Sequence, residues 1–177
     1  MRALVLLAPC VVFGAAVACG GTSRPAVMLD WRIGLDQRIG AVTFGERQDR
    51  VDAVLGPGVV KQVGGYTDRL IFYRRAALYI AYYPHGGQKY AIGIITRSPR
   101  YRTASGAGVG TTLEQLGKLP QIVCDGDGFE HGVLKTPSSD PSNCDHPRSA
   151  TDHPFTSFTI DYETKRVTQV AIFPGGD

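Results

Sequence analysis

The sequence carries few of the patterns on which chemistry is usually built. It has no G-x-S-x-G, no C-x-x-C and no two histidines three to five residues apart, which removes the common signatures of serine hydrolases, dithiol redox centres and compact zinc sites. Net charge is also small. Nineteen Lys and Arg against sixteen Asp and Glu leave a formal +3, and no basic run is interleaved with aromatics, so nucleic acid is not an expected partner. The densest basic cluster, Arg97–Arg102, reads as a solvated linker. There is a single tryptophan, Trp31, best understood as a partly buried packing residue. What remains, 177 residues that are 43% hydrophobic and 20% charged, is the composition of one ordinary globular domain or two small ones.

The one long apolar run lies at the start. Arg2 precedes the apolar stretch Ala3–Val17, broken only by small residues and Pro9, and Ala16-Val17-Ala18 fits a signal-cleavage site. The stretch is short for a membrane span, which needs about 20 apolar residues. Cys19, followed by Gly20-Gly21-Thr22-Ser23, resembles the acylated cysteine of a bacterial lipobox, although Ala16 stands where Leu is usual. The expectation is a signal peptide over residues 1–18, a flexible tether over 19–26, and a lipid on Cys19 that holds the protein to the cell envelope; simple secretion is the alternative. Loss of Arg2 would leave a net charge of about +2. With Cys10 removed and Cys19 acylated, Cys124 and Cys144 remain, and two cysteines outside the cytoplasm most simply form one disulfide. Closing a loop of about 20 residues would stabilise the fold by roughly 3 kcal/mol.

Periodicity gives an α+β chain. Val27–Ile33 predicts a short strand and Gly34–Arg38 a turn. Glu46–Leu55 predicts a helix with Val51, Val54 and Leu55 on one face, ended by Gly56-Pro57-Gly58. The runs Leu70–Tyr73, Leu78–Tyr83 and Tyr90–Thr96 then alternate with period two and form an antiparallel meander whose turns are Arg74–Ala77 and Pro84-His85-Gly86-Gly87. After the polar connection Arg97–Ser105 the order recurs in abbreviated form. A helix is expected over Thr111–Leu119, capped by Thr111 or Thr112, then a long loop with a short strand near Phe129–Leu134. Strands Phe155–Tyr162 and Arg166–Phe173 close the chain, with Phe158, Ile160 and Tyr162 expected to face the core. Both halves therefore read as turn, helix and antiparallel strands, the last strand opening on Lys89 or Arg166. The units are placed at 27–98 and 99–177, and Gly45 and Gly110 are expected at the hinge where extended backbone becomes helix, a place for positive φ.

The pattern Gly40-x-Val42-x-Phe44-Gly45, then Val51, Leu55 and Gly56-Pro57, followed by a strand meander and repeated in tandem behind a lipoprotein-like signal, resembles the SmpA/OmlA (BamE-like) family of envelope lipoproteins. The tandem form with a cysteine-closed loop is similar to the beta-lactamase inhibitory proteins. The resemblance spans about residues 27–173. It implies two helix-plus-sheet units, helices on one side of a continuous antiparallel sheet, and an open sheet face that contacts another protein.

Two chemical readings compete with that one. Cys124, Cys144, His131 and His146, near Asp125, Asp127, Asp145 and Asp152, offer zinc-ligand types without zinc-ligand spacing, and Asp125-Gly126-Asp127-Gly128 lacks the remaining ligands of a calcium loop. Ser105 has no strand-to-helix elbow, and Gly106–Gly110 lacks the Lys of a phosphate loop. No metal or cofactor is expected. Aligning the first hairpin with the last matches Tyr79, Ala81 and Tyr83 to Phe158, Ile160 and Tyr162, so the expected interaction surface is Leu78, Ile80 and Tyr82 with Ile92 and Ile94, turned away from the core. The function expected is a non-enzymatic, protein-binding or scaffold lipoprotein with an envelope protein as partner. The alternatives are a secreted enzyme inhibitor and a small metal-binding hydrolase using the Asp/His-rich loop.

Overall fold

The computed structural model describes residues 29–62, 69–120, 122–125, 143–145, 153–161 and 163–175. Cys19, His131, His146, Asp127, Asp152, Tyr162 and the strand expected near Phe129–Leu134 lie outside them. The first elements are the two-residue strands β1 (Ile33–Gly34), β2 (Arg38–Ile39) and β3 (Val42–Thr43), an antiparallel sheet in that order. The β1–β2 turn carries Asp36 at φ 60. Aspartate tolerates this conformation better than most residues. Its backbone N–H donates to Thr156 Oγ1, and its Oδ1 accepts from the Thr156 N–H at 2.8 Å. This reciprocal pair fixes the small sheet to the far half of the chain.

Helix α1 spans Gln48–Leu55, two residues shorter at its start than expected, because Arg47 is still extended at φ −71 and ψ 141. Val51 and Leu55 are buried, whereas Val54 is 36% exposed and faces outward. The helix is also held through polar atoms. Tyr73 Oη donates to Asp52 Oδ1 at 2.7 Å and lies 2.9 Å from Tyr82 Oη, which ties α1 to the sheet. Burial first, and then these bonds to Tyr82 and Asp52, push the Tyr73 hydroxyl well above its ordinary pKa.

The remaining strands are β4 (Val59–Gln62), β5 (Arg69–Tyr73), β6 (Leu78–His85), β7 (Gln88–Thr96), β8 (Val123–Asp125), β9 (Asn143–Asp145), β10 (Phe155–Asp161) and β11 (Arg166–Phe173). They form one antiparallel sheet in the order β4-β5-β6-β7-β11-β10-β9-β8. The β6–β7 hairpin turns on Gly86 and Gly87, with φ 57 and 75. Two positive φ values in a two-residue loop are what a type I′ turn needs. A short helix α2 (Leu113–Leu116) begins at a capping box. Gln115 N–H donates to Thr112 Oγ1 while Gln115 Oε1 accepts from the Thr112 N–H, so two orphan donors are satisfied at once.

The same contacts occur at both helix entries. Gly45 N–H donates to Ala91 O, and Ala91 N–H to Glu46 O; Gly110 N–H donates to Val167 O, and Val167 N–H to Thr111 O. Arg47 bridges to Tyr90 as Thr112 bridges to Arg166. Gly45 and Gly110 have φ 80 and 89, the conformation expected of the hinge. Both hairpins also break register at one place. Between Ala81 and Tyr82 the pairing skips Ile92, and between Thr159 and Ile160 it skips Thr168. The last strands meet at the sheet centre, where Val170↔Thr96, Ala171↔Ile95 and Ile172↔Ile94 are paired. An axis through Ile95 and Ala171 carries one set of pairings onto the other.

One face of the sheet holds the core. Ile80, Ile94, Phe158, Val170 and Ile172 pack beneath Val51 and Leu55 of α1, Leu116 of α2, and Ile33, Ile39 and Val42 of the small sheet. The connection after β7 belongs to this layer and is not merely solvated. Tyr101 is 1% exposed, its Oη donates to Ala76 O at 2.7 Å, and Arg102 N–H donates to Trp31 O. Trp31 is partly buried against this core, 5.0 Å from the Tyr101 ring centroid. Among the described residues no helix is long and apolar enough to cross a membrane.

Candidate protein-binding face

The surface expected at Leu78, Ile80, Tyr82, Ile92 and Ile94 is on the wrong side of the sheet. Leu78, Ile80 and Ile94 are 0% exposed and lie in the helix-side core. Tyr82 packs against the same core and hydrogen-bonds Tyr73. Ile92 is the residue skipped at the bulge and is half-buried. The error is one residue of phase, which in a strand inverts both faces. Matching Tyr79 to Phe158 implies an offset of 79 between the hairpins, whereas the pairings Ile80↔Ile94 and Phe158↔Val170 make Ile80 the counterpart of Phe158.

The residues of opposite phase build the second face. Register runs Phe72↔Tyr79↔Ile95↔Ala171↔Ser157 across five strands, a row about 19 Å long at the usual strand spacing of about 4.8 Å. Phe72 and Tyr79 stack at 4.6 Å between ring centroids, and Lys61 Nζ sits 4.8 Å from the Phe72 ring. Beside it Ala81 pairs with Gly93 and Phe155 with Phe173, whose ring centroids are 6.2 Å apart. A methyl group on Gly93 would lie 3.7 Å from Phe173 Cδ1 and 3.2 Å from Ala81 Cβ. Leu70, Ile95 and Ala171 are buried, with Tyr79, Ala81 and Phe173 half-buried against them; among the described residues this cluster consists of strand residues alone.

Polar chemistry on this face is sparse. Arg97 Nε donates to Gln169 Oε1 at 3.1 Å beside the apolar rows, a contact that satisfies a residue only 8% exposed. The face thus offers stacked aromatic rings with a polar margin.

Other candidates are scattered. His85 is exposed in the β6–β7 hairpin near Tyr90, at 6.4 Å between centroids, and His153 is exposed before β10. Ser105 lies in the loop after Tyr101, its Oγ 2.9 Å from Thr103 Oγ1. Among the described residues no three His, Cys, Asp or Glu come together as a metal site would require. Strands β8 and β9 place Cys124 directly opposite Cys144 in register, with Val123 opposite Asp145. Sequence reasoning missed the second face, yet a signal was present: along Leu78–Tyr83 one phase is mostly aliphatic and the other carries Tyr79 and Tyr83, whose hydroxyls favour the wetter side. A scan against protein-family models and searches of curated proteins and of solved structures found no match to this chain.

Proposed function

We propose that the protein is a non-enzymatic envelope lipoprotein, tethered through Cys19, that binds another protein with the second face of its large sheet. The observation that carries this reading is the aromatic and aliphatic row from Phe72 to Ala171, built on strands whose other face is already filled by both helices and the small sheet. On that second face Phe72, Tyr79 and Phe173 keep partial exposure around the buried Leu70, Ile95 and Ala171, and a partly exposed apolar patch rimmed by polar residues is what a protein contact uses. The fold reading that goes with it is two degenerate helix-plus-four-strand units, as in the tandem BamE-like arrangement. It is supported by the matching bonds at Gly45 and Gly110 and by the two equivalent bulges. The reading keeps a Cys124–Cys144 disulfide as part of the proposal; the two residues oppose each other in the register of β8 and β9.

The test is capture from envelope extracts with the exported protein and with a Phe72→Ala/Tyr79→Ala variant. The account expects one or a few proteins retained by the native chain and lost with the variant while its circular dichroism spectrum shows that it stays folded. Equal capture by both overturns the assignment of this face. Palmitate labelling that disappears in Cys19→Ala supports the tether; an unlabelled, freely released chain would make the protein a secreted binder, as an enzyme inhibitor is.

A further inference from the structure

Charge is divided along the chain in a way the totals hide. Between Ala53 and Leu113 there are eight Lys and Arg and one acid, Asp68, whereas from Glu114 onward ten acids face five bases. Folding gathers several of the first set around one sheet edge. Among the described residues strand β4 is bonded to β5 on one side only, all four of its residues are exposed, and Val59 and Val60 are 55% and 62% exposed. In register, Lys61 faces Leu70 and Gln62 faces Arg69 at one end, while Val59 faces Phe72 at the other, next to the turn that carries Arg74 and Arg75. Arg69, Arg74 and Arg75 are exposed, and among the described residues none of them takes part in a salt bridge.

A bare edge of this kind leaves every second residue with its N–H and C=O directed outward, a template for another strand. Proteins usually blunt such edges with charge, proline or a bulge. Here Lys61 is the one charge within β4, its ammonium lies over the Phe72 ring, and two β-branched residues stand free. We propose that the β4 edge accepts an extended acidic segment of a partner protein as an added strand, main-chain bonds giving affinity and the flanking cations selecting charge. Charge also argues against a second copy of this chain in the same place. Antiparallel pairing of two β4 edges would bring Lys61, Arg69, Arg74 and Arg75 of both copies together, with no acid between Ala53 and Leu113 except Asp68 to offset them. The inference uses the edge and stands apart from the assignment of the sheet face.

The test uses the full chain, purified as an exporting host processes it, and a fluorescein-labelled heptapeptide alternating valine with glutamate, read by anisotropy. Its controls are the lysine analogue and the same acidic peptide N-methylated at alternate residues, which keeps charge but cannot pair as a strand. The acidic peptide should bind roughly tenfold or more tighter than either control, and more weakly as salt rises. Arg69→Glu/Arg74→Glu/Arg75→Glu should reverse the charge preference with an unchanged circular dichroism spectrum. Should that variant misfold, the N-methylated control decides on the native chain. Phe72→Ala/Tyr79→Ala should still bind the peptide. The proposal is overturned by equal binding of the N-methylated peptide, by unchanged binding to a folded charge-reversal variant, by loss of binding in the face variant, or by no saturable binding up to about 1 mM. A concentration-dependent dimer abolished by Val60→Asp would give the edge to a second copy and also overturn it.

Discussion

Replacing Gly45 or Gly110 by alanine isolates a single physical cost. Both residues hold φ near the left-handed region, 80 and 89, and a Cβ on either would meet nothing within 4 Å. Packing therefore contributes nothing to the penalty. Left-handed backbone costs an L-residue about 1–2 kcal/mol, partly offset by about 0.4–1 kcal/mol because alanine also restricts the unfolded chain. The net is about 1 kcal/mol at each site, or a fall in melting temperature of roughly 2–4 °C for a chain of this size. Relaxing the strain by turning φ negative would break the bond from Gly45 N–H to Ala91 O or from Gly110 N–H to Val167 O, each 2.7 Å, so the chain has no inexpensive escape. Urea unfolding of Gly45→Ala, Gly110→Ala and the double variant should show equal single shifts, a double shift near their sum, and an unchanged slope. Asparagine at either position should recover part of the loss, because its side chain tolerates this conformation. A neutral alanine at one site and a costly one at the other would refute the claim that the two hinges are physically equivalent.

Other consequences follow from burial and bonding. Ile80→Ala should destabilise by about 2–5 kcal/mol in chemical denaturation, as a fully buried core residue does, whereas Val60→Ala on the exposed edge should change stability by less than about 0.5 kcal/mol. Thr112→Ala removes one half of the α2 capping box and should cost about 1 kcal/mol. The raised Tyr73 pKa means that the folded chain keeps a proton the unfolded chain releases, so stability should fall as pH rises above about 10, the ordinary tyrosine value. Tyr73→Phe should be less stable at neutral pH and lose less of its remaining stability on going alkaline. Thiol titration of the denatured, unreduced protein should find Cys124 and Cys144 unreactive, and reduction should lower stability by roughly 3 kcal/mol.

Much of the sheet could be read from residue order because β5, β6, β7, β10 and β11 are runs of Ile, Val, Phe, Tyr and Thr with period two. Arg166–Phe173 was predicted with the bounds that β11 has. The short strands were not legible. Val59–Gln62 follows Gly56-Pro57-Gly58 and is wholly exposed, so no alternation marks it, while β8 and β9 have three residues each. Helix α1 was placed from its i, i+3, i+4 spacing, but Val54 fell outside the buried stripe because α1 rests on the sheet through Val51 and Leu55. The face assignment failed for a different reason. Both phases of Leu78–Tyr83 are apolar, and the bulges at Ile92 and Thr168, which set the register between the halves, come from long-range pairing that no local pattern encodes. The β4 edge is not legible in the sequence because its cations are spread from Lys61 to Arg75, and only the pairing of β4 with β5 brings them together.

The central claim is that the helix-bearing side of the large sheet is spent on folding and the other side meets a partner. Site-specific photo-crosslinking in cells that produce the protein tests it directly, with a benzophenone amino acid at Phe72, Tyr79 or Phe173 and, as the comparison, at Val54 on the outward side of α1. The account predicts discrete protein adducts from the three sheet positions and none from Val54; adducts from Val54 with none from the sheet would contradict it.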